Sequence, residues 1–200
     1  DHYPQRPGGE YWGTWSPEEG SAPDWPIADG PRVLAYLKPF PALPELLRHL
    51  RGLGLPTLVY LGGAPEASRW SSPTLTVSAT PLNLAEAARQ CDLAILHAGH
   101  GSTAALLDAG KPILQLPLNL EQQITALNTE RLGAGRCADP SRADRVCAAL
   151  DAMIADTEPR RRAQALGERR SHFRPQAGQR IDALVERIES IFDRPAVSYT

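Results

Sequence analysis

Residues 96–117, LHAGHGSTAALLDAGKPILQLP, hold the densest grouping of reactive types in the chain. Two of its five histidines, His97 and His100, sit there in a loop of Gly, Ala and Ser that ends an apolar run and opens a small-residue helix. A metal site, a catalytic base and a phosphate cradle would each use such residues. The metal reading is weak. His97 and His100 need further ligands, His2, His49 and His172 lie in unrelated contexts, and no CxxC or HExxH spacing occurs. An anion cradle asks for less. Gly99 and Gly101 would allow positive φ and close ligand approach. Ser102 or Thr103 would cap the next helix, leaving its first amides and positive dipole end toward the crevice. His97, at a strand tip, would donate to a phosphoryl oxygen. A plain strand–helix turn with two incidental imidazoles uses the same residues, so this pattern alone leaves both readings open. One loop further on, Glu121 and Gln122 open another helix. A carboxylate beside an amide suits sugar hydroxyls, and equally an acidic first helical turn.

The elements around this loop alternate. VLAYL (33–37), TLVYLG (57–62), TLTVSA (74–79), DLAILH (92–97), PILQLP (112–117) and the weaker GRCAD (135–139) read as strands. Helical patterns separate them: LPELLRHLRGLG ending at Gly52 and Gly54, LNLAEAARQC with Asn83 as N-cap, STAALLDAG closed by Gly110, and EQQITALNTERLG closed by Gly133. GGAPE (62–66) reads as a glycine-rich turn, and helices continue to about Arg187. Strand alternating with helix predicts an α/β class: a Rossmann-like, doubly wound parallel sheet of about six strands with helices on both faces. Ligands of such sheets bind at the carboxyl ends of the strands, where His97 falls.

Residues 1–31 differ in texture, with six prolines, five glycines and Tyr3, Tyr11, Trp12, Trp15 and Trp25 among them. They predict a Pro/Gly/aromatic-rich arm or interdomain linker whose aromatics pack on this domain or on a neighbour. The domain proper is expected over 32–190, with a tail at 191–200. The chain has 200 residues, 42% hydrophobic and 22% charged, with a formal net charge of −2. That is ordinary for a soluble globular domain and gives no electrostatic case for nucleic acid or an anionic membrane. The six arginines between 158 and 174 read as a solvated helix face. No apolar run approaches a membrane span. Cys91, Cys137 and Cys147, odd in number and unpaired by spacing, suit a reducing cytoplasm.

Taken in order, Pro81, Leu82, Cys91, Asp92, His97, Gly99, Gly101, Ser102, Thr103, Leu107, Gly110, Pro112, Pro117, Glu121, Gln122, Ala126 and the GAG of 133–135 form a longer pattern. It resembles the donor-binding signature of GT-B glycosyltransferases in the UDP-glycosyltransferase superfamily, the bacterial antibiotic and macrolide type above all. The resemblance implies the C-terminal half of such an enzyme. His97, Gly99, His100, Gly101, Ser102 and Thr103 would hold the diphosphate of a UDP- or TDP-linked sugar. Glu121 and Gln122 would bond the sugar, and the loop at Thr80 to Leu82 would touch the nucleobase. Lys38, in a turn that departs from the family pattern, reads as a solvated lysine or as a cation toward the phosphates. No cofactor or metal is implied beyond the donor substrate. The acceptor site and general base would belong to an N-terminal half, so this half alone would bind the donor weakly and not transfer it.

Three positions depart from the family pattern. The glutamate that grips the ribose, eight residues beyond the histidine, is Ala105; the aromatic that stacks on the base, two residues before the proline, is Ala79; and the hydroxyl-bearing turn after the first strand is LKPF at 37–40. One lost hydrogen bond to a charged group costs ~1.5–3 kcal/mol of affinity. Ala79 and Ala105 favour one alternative, a non-catalytic GT-B-like domain that binds or activates a partner glycosyltransferase. A second, half of a nucleotide-sugar epimerase, shares the two-domain architecture, and the resemblance at Pro117, Glu121 and Gln122 argues for the transferase over it.

Overall fold

A computed structural model of the chain describes residues 7–10, 12, 19–62, 67–171 and 177–192. His2, Tyr3, Tyr11, Trp15, most of the GGAPE turn, His172 and 193–200 of the tail lie outside the described residues. The chain order is β1 Val33–Leu37, α1 Leu43–Leu53, β2 Thr57–Leu61, a 3₁₀ turn at Ala67–Trp70, β3 Leu75–Ser78, α2 Leu84–Gln90, β4 Leu93–Leu96, α3 His100–Asp108, β5 Ile113–Gln115, α4 Leu120–Arg131, β6 Gly135–Cys137, α5 Ala143–Ala155, α6 Glu158–Arg169 and α7 Ala177–Phe192.

The six strands form one all-parallel sheet in the order β3-β2-β1-β4-β5-β6. This is the doubly wound order, with its switch point between β1 and β4. The strands are apolar on both faces because helices cover both. One core layer joins Val33, Ala35, Ile95 and Leu114 to Leu46, Leu47 and Leu50 of α1 and Val146 and Leu150 of α5. The opposite layer joins Leu34, Leu58, Ala94 and Ile113 to Ala87 of α2, Leu106 and Leu107 of α3, and Leu166 of α6. Each layer follows from the two-residue alternation of a strand meeting the 3.6-residue stripe of a helix.

Helix ends follow local chemistry. Gly54 stops α1 at φ 68°, and Gly110 and Gly133 take φ 71° after α3 and α4. Asn83 caps α2, its Oδ1 accepting from Glu86 N at 3.0 Å. An ion pair between the buried Arg170, just past α6, and Asp108 of α3 ties those helices together. Helix α7 leaves Ile181, Val185, Ile188 and Ile191 about half exposed in one stripe, and Arg187 on it pairs with Glu10 at 2.6 Å. Among the described residues no helix is long and apolar enough to cross a membrane.

The described part of the arm packs on this domain. Ser21 bridges Leu82 in parallel, its N–H bonding Pro81 O at 2.9 Å and its carbonyl accepting from Asn83 N at 2.8 Å. Trp25 packs on the α2/α3 core layer, donates from Nε1 to Gln90 Oε1 at 2.7 Å, and lies under the Arg32 guanidinium.

Candidate functional site

The loop after β4 is built differently from the glycine-based expectation. Neither Gly99 (φ −61°) nor Gly101 has positive φ; Ala98 does, at φ 59°, and it is fully buried. The sharp reversal needs one left-handed residue, and burial of the Ala98 methyl holds it there. The capping expectation is likewise corrected. Gly99 is the N-cap of α3 and has no side chain to offer, while Ser102 and Thr103 are already helical. Ser102 Oγ donates to Gly99 O at 3.0 Å, closing the turn from inside the helix. The first helical bond runs from Thr103 N to Gly99 O at 2.9 Å. The amides of His100, Gly101 and Ser102 therefore precede the helical ladder and lie at the dipole's positive end. Thr103 is fully buried, with its Oγ1 unpartnered inside the domain and away from the surface.

His97 follows β4 directly and is buried. Its Nδ1 lies 2.7 Å from Leu116 O and its Nε2 3.1 Å from Lys38 O, with Phe40 edge-on at a centroid distance of 5.3 Å. Those carbonyls follow β5 and β1, the two neighbours of β4, so the imidazole ties three strand ends together. Lys38 is exposed, and its carbonyl is its contribution to this tie.

Between the arm and α3 lies an open cavity of about 510 Å³, lined by Glu19 to Ser21, Tyr36, Thr80, Pro81, Leu82, Leu84, Gly101 and Ser102. It opens at the carboxyl ends of the strands beside the β1/β4 switch point, where doubly wound sheets bind ligands. Four of the sequence-derived residues, Thr80, Leu82, Gly101 and Ser102, meet here. His97, Glu121 and Gln122 do not line it.

Glu121 is exposed in the first turn of α4. Gln122 is half-buried and committed locally: its N–H bonds Asn119 Oδ1 at 3.0 Å and its Oε1 accepts from Leu118 N at 2.7 Å. Asn119 thus caps α4, while the Gln122 side chain reaches back past the cap to Leu118, which leaves the Gln122 side-chain amide hydrogens for other partners. Tyr36, Glu19 and Ser21 line the cavity without having been singled out from the sequence. Tyr36 falls inside an apolar strand pattern, and Glu19 and Ser21 belong to an arm with no periodicity to place it.

A second cavity, about 420 Å³, lies at the amino ends of the strands between Gly30, Asp92, Met153 and Arg160. That is the end of the sheet where α/β folds do not place ligands, and the Arg160–Asp92 ion pair at 3.7 Å occupies its wall.

The parallel six-stranded order and the crevice at its switch point define a Rossmann-like, doubly wound architecture. Solved structures sharing this fold include bacterial antibiotic glycosyltransferases, and the fold is that of one half of a GT-B enzyme. The chain matches the glycotransferase of kitacinnamycin (TM-score 0.64, 21% identity, 88% of this chain and 45% of that one). It also matches VinC in its complex with DTDP (0.67, 16%, 82% and 43%) and the spinosyn rhamnosyltransferase SpnG (0.60, 20%, 80% and 45%). At these identities the likeness establishes fold. In sequence, 73 residues are 36% identical to the NDP-glycosyltransferase YjiC of Bacillus licheniformis, covering 36% of this chain and 18% of that protein. No protein-family model matches the chain. The chain thus spans less than half the length of the glycosyltransferases it resembles.

Proposed function

We propose that this chain is the nucleotide-sugar-binding half of a glycosyltransferase that acts on a small-molecule or lipid-like acceptor. The observation that carries the reading is the switch-point cavity. There the unladdered amides opening α3 and Ser102 meet the Thr80–Leu82 loop, giving an anion site next to an apolar wall. In this reading the diphosphate lies over His100, Gly101 and Ser102. His97 contributes by exchanging the Lys38 carbonyl on Nε2 for a phosphoryl oxygen, while its Nδ1 bond to Leu116 O keeps the ring in place. Glu121 and the free amide hydrogens of Gln122 face the sugar once a second half closes over α4. Transfer also requires a base for the acceptor hydroxyl and exclusion of water from the cleft. We assign both to the N-terminal half of the complete enzyme, so the chain alone binds donor without transferring it.

The test is calorimetric titration with UDP, TDP and GDP, repeated on His97→Ala. Binding of one diphosphate that weakens ~10-fold or more in the variant supports the reading, since hydrogen bonds to charged groups are worth ~1.5–3 kcal/mol. Because His97 also ties strand ends, His97→Asn, which can still donate to Leu116 O, separates lost affinity from lost stability. Failure of all three nucleotides at millimolar concentration overturns it. Ala79 and Ala105 favour a second reading, a non-catalytic domain that activates a partner glycosyltransferase. It requires that the partner's turnover rise on mixing, with no nucleotide bound by this chain.

A further inference from the structure

The arm forms a wall of the switch-point cavity. At Gly20, φ is 120° and a Cβ would stand 2.5 Å from the Leu82 carbonyl carbon and 2.6 Å from Asn83 N. Only glycine permits that approach. The contact is reinforced by the Ser21 backbone bonds to Pro81 and Asn83 and by Ser21 Oγ against Thr80 Oγ1 at 2.9 Å. So fixed, the arm puts Glu19 at the cavity, the one carboxylate among the described residues lining it. From the sheet side comes Tyr36, half-buried, its ring 4.8 Å from that of Tyr60 and tilted by 38°. Burial, and then the neighbouring Tyr60, push the Tyr36 phenol above its ordinary range, so the hydroxyl stays neutral. The face of α3 that meets the cavity through Gly101 and Ser102 continues one turn on as Ala105, which carries no polar group.

We infer that the arm recognises the nucleoside: Glu19 accepts hydrogen bonds from the ribose 2′,3′-diol, and Tyr36, backed by Tyr60, supplies the aromatic wall. The inference rests on the nucleotide-sugar reading above and names its specificity-determining residues. A carboxylate has lone pairs for both hydroxyls of a vicinal diol and favours two charge-assisted bonds over water. The Tyr36 ring, held against Tyr60, offers area for a sugar or base with little side-chain entropy to lose. The volume, about 510 Å³, is of the size that holds one small ligand. The carboxylate is thus delivered from the wall opposite α3, by a segment outside the alternating strands and helices.

The test compares UDP, 2′-deoxy-UDP and inorganic pyrophosphate by calorimetry on the wild-type chain and on Glu19→Ala, Glu19→Gln and Tyr36→Leu. The expected wild-type preference for UDP over 2′-deoxy-UDP is roughly tenfold. Glu19→Ala should remove that preference by weakening UDP about tenfold, with Glu19→Gln intermediate. Tyr36→Leu should weaken both nucleotides alike, and pyrophosphate should be unaffected throughout. A Glu19→Ala loss shared equally by both nucleotides, or no loss at all, overturns the inference and leaves the donor reading standing. Pyrophosphate binding as tightly as UDP also overturns it. If the wild type binds none of the three, the donor reading falls, and this inference falls with it. Thermal melting of each variant shows whether a loss reflects folding, and the pyrophosphate arm confirms an intact anion site.

Discussion

At the scale of single residues, the loop after β4 depends on Ala98. A left-handed conformation costs a non-glycine residue ~1–2 kcal/mol, yet here the residue is alanine and fully buried at φ 59°. Replacing it by glycine relieves that strain but removes a buried methyl, worth ~0.8 kcal/mol, and adds unfolded-state entropy of ~0.5–1 kcal/mol. The terms nearly cancel. Ala104, equally buried but helical within α3, has no strain to relieve. Ala98→Gly should therefore leave stability within about 0.5 kcal/mol of wild type, while Ala104→Gly should cost about 1.5–2 kcal/mol. Urea denaturation of the two variants measures both. Equal losses would show that Ala98 is unstrained.

At the scale of elements, α6 shows how a helix start depends on pH. Glu158 accepts from Arg161 at 2.6 and 2.8 Å and from Arg162 at 2.7 Å. Hydrogen bonds from those two guanidinium groups draw its carboxyl down from 4.5 to about 2. A depressed carboxylate contributes stability above its unfolded value and loses it as pH falls through the folded one. The contribution of Glu158 is thus whole above about 4.5 and gone near about 2. It is small, because the side chain is in solvent and its partners are screened. Thermal midpoints of wild type and Glu158→Gln should differ near neutrality and converge as pH falls to about 2. A gap that stays constant with pH would assign it to helix propensity. The elements themselves were largely legible beforehand. β1 begins and ends where VLAYL does, Asn83 caps α2, and Gly54, Gly110 and Gly133 close their helices, because each is decided by residues within one turn. The β4–α3 loop was not. Its N-cap and its strained residue are set by how the buried Ala98 methyl packs, which no local pattern records. The local bonds of His97 and Gln122 were hidden for a related reason. The imidazole reaches carbonyls beyond β1 and β5 only because the sheet order places those strands on either side of β4.

At the scale of the whole molecule, the question is whether the arm belongs to the fold. Composition marks 1–31 as linker-like, and its aromatics left open what they pack on. The structure seats Trp25 on the α2/α3 core layer, with its indole N–H bonded to Gln90 and Arg32 over its ring. The Gly20 contact with Leu82 lies at the far side of the same segment. These two attachments, several residues apart, make the arm a cover for one core layer and a wall for the cavity. A half-buried tryptophan with a hydrogen bond should cost about 2 kcal/mol when cut to alanine, below the ~3–5 kcal/mol of a fully buried one. At this chain length that is a fall of roughly 4–8 °C in Tm. Gly20→Ala acts elsewhere. Its new methyl meets peptide atoms, so residues 19–21 must lift off the Thr80–Asn83 loop while Trp25 stays seated. Trp25→Ala should therefore lower Tm with one cooperative transition. Gly20→Ala should lower it less and instead weaken nucleotide binding, because the cavity loses its outer wall. Melting curves and UDP titration on both variants test this together. An unchanged Tm for Trp25→Ala would make the arm a tether laid on the surface. A fall shared with lost cooperativity would mean that the arm and the sheet unfold as separate units.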